Sequence, residues 1–157
     1  MKALSLTQPW AMLICLQATP HIPEKEFETR GWRWTPRPQE IYVHAAKNFP
    51  KWARDLCHEE PFRSALARHG WDVPPEQPEH LPLQSIIGKV RIVRTLKTEA
   101  VRDIITPTER AFGDYSDGRI AIQLADPVFF RAHIRCNGAL GLWDVPQDIA
   151  ARLREAA

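Results

Sequence analysis

The chain has 157 residues, of which 44% are hydrophobic and 25% charged, a composition typical of one globular domain with a buried core. The formal charge of +2 excludes a strong overall field for polyanions, so any nucleic-acid surface has to come from local clustering of cations. Three cysteines without a Cys-x-x-Cys spacing disfavour a disulfide framework and a zinc site, and we expect reduced thiols, no metal and no cofactor.

The apolar run near the start of the chain is short and is interrupted by Gln8-Pro9. It therefore predicts neither a signal peptide nor a membrane span. We expect a single domain over residues 1–157, a cytoplasmic monomer without membrane contact.

Alternating apolar and polar residues indicate strands. The strand-like runs are residues 2–6, 24–32, 41–46, 85–96, 119–124, 128–136 and 140–145. Helical spacing and start signals predict helices. These cover residues 8–17, two helices within 49–70 that meet at Pro61, a short helix or irregular segment at 97–105, the capping box Thr106 to Glu109, and a terminal helix after Asp144.

Turn residues fill the remaining segments. Residues 18–23 and the proline-rich residues 71–84 are predicted loops, Asn137-Gly138 predicts a tight turn, and Gly88 suggests a bulge or a close backbone approach. No strand–helix–strand alternation recurs, which disfavours a doubly wound sheet. The predicted fold is α+β, with a small curved or barrel-like mixed sheet and peripheral helices.

The stretch from Lys25 to Lys47 combines cations, a carboxylate and aromatic rings. Period-two counting places Glu28 and Arg30 on one face of the first strand, and it places Lys25 on the opposite face if that strand is regular. Cations are suited to phosphate and flat rings to bases, so this stretch is the candidate ligand-binding wall.

Five blocks occur in a fixed order over nearly the whole chain. They are Leu4 to Trp10, Lys25 to Arg30 followed by Trp32, Ile41 to Lys47, Phe112 to Arg119, and Gly138 to Trp143. Together they resemble the ASCH domain, a branch of the PUA-like superfamily, whose signature is lysine-x-x-glutamate-x-arginine. The resemblance implies a PUA-like mixed β-barrel with peripheral helices, a cleft beside the signature strand, and RNA or a nucleotide as ligand.

One branch of that family hydrolyses an acylated cytidine with a lysine-x-x-threonine-x-arginine motif and a later strand glutamate. Here Glu28 stands at the threonine position, and the strand from Gly88 to Arg94 contains no glutamate. The pattern therefore disfavours the amidohydrolase activity.

Binding of RNA or a nucleotide is the first functional hypothesis. We expect phosphate on Lys25, Arg30, Arg33 and Lys47 and a base on Trp32, Trp34 or Tyr42, with His44 and Trp143 completing the ligand-binding set.

A metal-independent hydrolase is the second hypothesis, ribonuclease-like first and an amidohydrolase on a modified nucleoside second. Its candidate catalytic residues are Lys47, Tyr42, Glu28 and Ser116. A third hypothesis is a protein-interaction module that uses the proline-rich loop 72–84, although this loop lacks a clean Pro-x-x-Pro with basic flanks.

Overall fold

A computed structural model describes residues 1–31, 34–71 and 80–156. Its strands are β1 (Lys2–Leu6), β2 (Gln17–Thr19), β3 (Ile22–Pro23), β4 (Phe27–Arg30), β5 (Gln39–Ala45), β6 (Ser85–Lys97), β7 (Ile120–Arg135) and β8 (Leu142–Asp144). Its helices are α1 (Trp10–Cys15), α2 (Lys51–Leu56), α3 (Phe62–Ala67), α4 (Thr98–Val101), α5 (Pro107–Ala111) and α6 (Gln147–Ala156).

Six of these strands form one sheet in the order β4-β7-β6-β5-β1-β8. β1 and β5 run parallel, whereas the other neighbours are antiparallel. The register between the long strands β6 and β7 shifts at three places, and such bulges bend and twist a strand. The sheet therefore curls into a half-barrel, which confirms the predicted α+β class with a mixed sheet and peripheral helices.

The sheet buries side chains on both faces. Leu4 and Leu6 of β1 and Val43 of β5 point into the main core, where they meet the buried face of α1. On the other face, Ala3 and Trp143 pack beneath α6, which buries Ile149 and Leu153 at the spacing of one helix turn.

Gly88 lies at one of the bulges, as its position within a strand suggested. A Cβ at this residue would lie 2.3 Å from the carbonyl oxygen of Val128 and 2.8 Å from Cys15 Sγ. The close approach of β7 and α1 therefore requires glycine at this point.

Three local predictions were wrong. Residues 18–23 are not a plain loop, because β2 and β3 pair as a two-stranded ribbon. Residues 119–124 and 128–136 are not two strands, because β7 continues through Asp126, which adopts a left-handed φ of 54°. Asn137-Gly138 forms no tight turn, because residues 136–139 are an irregular connection to β8, which pairs with β1.

In the parts of the chain that the structure describes, every helix is too short or too polar to cross a bilayer.

Candidate functional site

The residues just before β4 follow a bend rather than a strand, and this brings Lys25 to the same side as Glu28. Lys25 Nζ lies 3.2 Å from Glu28 Oε2, and it also donates to the carbonyl oxygen of Phe27. The Lys25 residue is only 1% exposed. Period-two counting placed the two side chains on opposite faces because it assumed that the strand extended to residue 24.

The segment before β4 is anchored to α3 by a buried carboxylate. Glu24 accepts hydrogen bonds from Arg68 Nε at 3.1 Å and Nη2 at 2.7 Å, and it lies 3.0 Å from His69 Nε2. Burial acts to raise the pKa of Glu24, but the hydrogen bonds and positive charge of Arg68 and His69 outweigh it and lower that pKa. Glu24 therefore remains ionised beside Lys25.

A second carboxylate anchors the start of β4 itself. Thr106 caps α5 by accepting from the backbone N–H of Glu109 at 3.1 Å, as the capping box predicted. The Glu109 side chain does not complete that box, because it accepts from the N–H groups of Glu26 and Phe27, both at 2.9 Å. Burial raises the pKa of Glu109, although the charge of Lys25 and these two backbone bonds oppose the shift.

The turn after α5 places Arg119 against β4. Thr29 Oγ1 accepts from the backbone N–H of Asp114 at 3.2 Å, which fixes the turn to the strand. Arg119 donates from Nε to the Asp114 carbonyl at 2.9 Å and from Nη2 to the Thr29 carbonyl at 3.5 Å. Hydrogen bonds from the side chain and backbone of Ser116 lower the pKa of Asp114.

Two adjoining cavities open between β4, the end of β1 and the start of α1, and they share Trp10, Glu28, Thr29 and Arg119. The larger has a volume of about 360 Å³ and the deeper one about 170 Å³. We call the pair the basic cleft. Its charged lining residues are the cations Lys25, Arg30 and Arg119 and the carboxylates Glu28 and Asp114, so the cleft carries a net positive charge.

Arg30 contributes an unsatisfied donor to this cleft. Its Nε is buried and has no hydrogen-bond partner in the described part of the chain, although Glu28 Oε1 lies 3.4 Å away. The guanidinium carbon lies 5.9 Å from the centre of the Trp34 ring, in the range of a cation–π contact. A buried donor of this kind is stabilised by an acceptor that enters the cleft.

Tryptophans form one wall of the cleft. The Trp10 ring is held by a 2.6 Å hydrogen bond from Nε1 to the Phe112 carbonyl. Trp52 of α2 lies with its ring centre 5.7 Å from that of Trp10, and it is 61% exposed. An exposed ring supported by a fixed ring offers a flat face to a planar ligand.

Lys47 and His44 do not line the basic cleft with Glu28, because they line a second cavity of about 450 Å³. We call it the Lys47 cavity. Its lining residues are Ser5, His44, Ala46, Lys47, Gln84, Asn137, Gly138, Ala139 and Leu140. Ser5 also lines the basic cleft, so the two sites adjoin at this residue.

The other predicted site residues line neither site. Tyr42 packs edge-on against Phe130 with ring centres 6.3 Å apart. Trp143 is buried and donates from Nε1 to Ser5 Oγ at 3.0 Å. Ser116 supports Asp114 from outside the cleft, and Trp32 and Arg33 lie outside the described residues.

Sequence reasoning missed several lining residues, namely Trp10, Trp52, Thr29, Asp114 and Arg119. The two tryptophans lie within the predicted helices at 8–17 and 49–70, where an aromatic residue is usually core, and only the exposure of Trp52 separates it from that pattern. Asp114 and Arg119 belong to one of the blocks that resemble the ASCH domain, which was the available signal. The described residues include no cluster of three or more His, Cys, Asp or Glu side chains able to hold a metal.

Neither the family models nor the curated protein sequences include a match to this chain. Among solved structures, it is similar to ASCH from Zymomonas mobilis, with a TM-score of 0.54, 13% identity, and coverage of 98% of this chain and 93% of that one. A tyrosine-to-phenylalanine variant of that protein gives a TM-score of 0.54 at 13% identity, covering 98% of this chain and 96% of the variant. The agreement extends over nearly the whole of both chains, and the protein has an ASCH-like fold, as its sequence blocks predicted.

Proposed function

We propose that the basic cleft binds RNA or a nucleotide. The observation that carries this proposal is the lining of one cleft by three cations beside the exposed ring of Trp52. The ASCH-like fold supports it, because the resemblance to the ASCH domain implies this class of ligand.

Phosphate is assigned to Arg30 and Arg119. Guanidinium groups form bidentate bonds with phosphate oxygens, and the Nε of Arg30 has no hydrogen-bond partner among the described residues. Lys25 contributes charge from beneath, since its ammonium already bonds to Glu28 and Phe27. Glu28 limits the positive potential of the empty cleft and holds Lys25 in place.

The base is assigned to the tryptophan wall. Stacking of a base on an aromatic side chain is worth about 1–3 kcal/mol and tolerates all bases. Trp52 lies at the rim of the larger cavity, where a base can reach it while the phosphate contacts Arg30.

Quenching of tryptophan fluorescence by RNA oligonucleotides and by nucleoside monophosphates tests the proposal. Arg30→Gln is expected to weaken binding of both ligands, and for oligonucleotides it should lower the slope of log K against log salt by about 0.7. Arg154→Gln, an exposed arginine on α6 that lines neither site, is the matched control. Unchanged affinity and salt slope in Arg30→Gln would refute the proposal.

Metal-independent hydrolysis in the same cleft is a second candidate. The observation that favours it is the buried pair of Lys25 and Glu28, because an amine and a carboxylate 3.2 Å apart can exchange a proton with a bound substrate. Under this candidate the wild type degrades RNA in EDTA and Glu28→Gln does not. Equal degradation by the two proteins would identify a contaminating nuclease. The monomeric state, the cytoplasmic location and the single domain over 1–157 stay predictions.

A further inference from the structure

We infer that the Lys47 cavity is a second nucleotide subsite, and that the ligand is a single RNA strand of at least two nucleotides that passes over Ser5 from one site to the other. This inference rests on the proposed function of the basic cleft. It concerns the extent of the ligand, because an oligonucleotide can contact both sites at once whereas a mononucleotide contacts one.

The two sites meet at one residue. Ser5 lines both sites, so a ligand that leaves the larger part of the basic cleft along β1 enters the Lys47 cavity directly. The volumes, about 360 Å³ and 450 Å³, each lie in the range of small-ligand pockets. Two neighbouring sites of nucleotide size suit two consecutive nucleotides of one strand.

The Lys47 cavity differs from the basic cleft in the charge of its lining. None of the described residues that line the Lys47 cavity is Asp or Glu, whereas the basic cleft contains Glu28 and Asp114. The Lys47 ammonium at the end of β5 is exposed and has no opposite charge within this lining. An anion that reaches the cavity therefore meets a cation that no carboxylate of the cavity neutralises.

The floor of the Lys47 cavity is hydrogen-bonded and neutral. Trp143 Nε1 donates to Ser5 Oγ at 3.0 Å, and Ser5 Oγ lies 3.0 Å from His44 Nδ1. His44 Nε2 lies 2.8 Å from the carbonyl oxygen of Cys136, which can only accept, so Nε2 carries the proton and Nδ1 accepts from the Ser5 hydroxyl. Burial lowers the pKa of His44, which keeps the ring neutral.

The hydrogen-bonding groups of Ser5 and His44 are used in bonds within the cavity floor, and these bonds hold the cavity in shape. The rim contains the Lys47 ammonium, the amides of Gln84 and Asn137, and the apolar Leu140, which is 92% exposed. Gln84 Nε2 donates to Asn137 Oδ1 at 2.8 Å and Gln84 Oε1 accepts from Arg135 Nη2 at 3.0 Å, so among the described contacts the Asn137 amide nitrogen is the donor left for a ligand. The cation, this donor and the exposed apolar side chain suit the phosphate, the polar edge and the flat face of one nucleotide, respectively.

The experiment compares a nucleoside monophosphate with di-, tri- and hexanucleotides of one RNA sequence, using the wild type, Lys47→Gln and Arg30→Gln. Lys89→Gln is the matched control, because Lys89 pairs with Glu40 on the sheet and lines neither site. We expect affinity to rise from the mononucleotide to the di- or trinucleotide. Lys47→Gln should weaken oligonucleotide binding about two- to fivefold, lower the salt slope by about 0.7, and weaken mononucleotide binding by a smaller factor.

Each alternative outcome overturns either the second subsite, the function of the basic cleft, or both. Equal affinity of the wild type for mono- and oligonucleotides, or identical oligonucleotide binding by Lys47→Gln and wild type, overturns the second subsite and leaves the basic cleft intact. Loss of binding in Lys47→Gln without any loss in Arg30→Gln overturns the proposed function of the basic cleft and the path between the sites. Absence of RNA binding by the wild type overturns both.

Discussion

Replacing Glu109 by alanine removes the carboxylate that holds the start of β4. In the native protein this carboxylate accepts from the backbone N–H groups of Glu26 and Phe27, both at 2.9 Å, and Tyr115 donates to it from its hydroxyl group at 3.4 Å. The bond to Phe27 is fully buried and the bond to Glu26 is half-buried. Alanine leaves both N–H groups without an acceptor.

A buried donor without a partner costs about 1–3 kcal/mol. Two such donors, one of them partly solvated, give an expected loss of about 3 kcal/mol in the free energy of unfolding for Glu109→Ala. Glu109→Gln retains one carbonyl oxygen and should lose about half as much. Urea denaturation measures both values, and the slope of the free energy against urea should remain unchanged, since the native surface is the same.

Glu59→Ala is the control, because Glu59 is an exposed glutamate whose truncation removes no such contact. Its expected effect lies within about 0.5 kcal/mol of zero. If the loss of unfolding free energy in Glu109→Ala also falls within that range, the carboxylate does not hold β4. In that case it does not position Lys25 either.

Three further predictions concern the site. Folding lowers the pKa of Glu24, so the contribution of Glu24 to stability is present above its ordinary pKa of 4.5 and is lost as the pH falls through the folded pKa. Glu24→Gln should therefore flatten the acid side of the stability profile, measured by urea denaturation at several pH values. Gly138→Ala would place a Cβ 2.4 Å from Ser5 Oγ and 2.7 Å from His44 Nδ1, so we expect a loss of about 1–3 kcal/mol in the free energy of unfolding. Trp52→Ala should change stability by less than about 1 kcal/mol, because the ring is exposed, and should weaken RNA binding by about 1–3 kcal/mol in a fluorescence titration.

Each of these three predictions has its own refuting result. An acid profile of Glu24→Gln that is as steep as that of the wild type would contradict the role of Arg68 and His69 as its partners. Wild-type stability of Gly138→Ala would mean that its segment can withdraw from Ser5 without cost. Trp52→Phe keeps a flat ring and should retain most of the affinity for RNA. Wild-type affinity in Trp52→Ala would mean that the base does not stack on the tryptophan wall.

The sequence was most informative along the regular strands of the sheet. Alternation of apolar and polar residues predicted β1, β5 and β6 closely, because side chains of a regular strand point to opposite faces in turn. The same rule misplaced Lys25, because a bend precedes β4 and period-two counting has no meaning across a bend.

Local sequence patterns did not predict the pairing between distant segments. Asn137-Gly138 matches a hairpin signal, yet the next strand pairs with β1, and Gly138 is small because it packs on Ser5 and His44. Lys47 and Glu28 likewise line different cavities, which no spacing along the chain encodes. Glu109 matched a helix cap, and its bond to β4 depends on a contact across more than 80 residues.

Residues that line or support the basic cleft also bond to backbone groups on the free edge of β4. β4 lies at the edge of the sheet, with β7 on one side only. On its outer side, Glu109 binds the N–H of Phe27, Lys25 donates to the carbonyl of Phe27, and Arg119 donates to the carbonyl of Thr29.

Side chains thus occupy the positions that a neighbouring strand would otherwise take. An exposed sheet edge is a template for pairing with another chain, and charged side chains on that edge prevent it. The residues that line or support the basic cleft therefore also protect the protein from edge-to-edge aggregation. Variants that truncate Lys25 or Arg119 should be judged for solubility as well as for ligand affinity, because each frees a carbonyl group on the open edge.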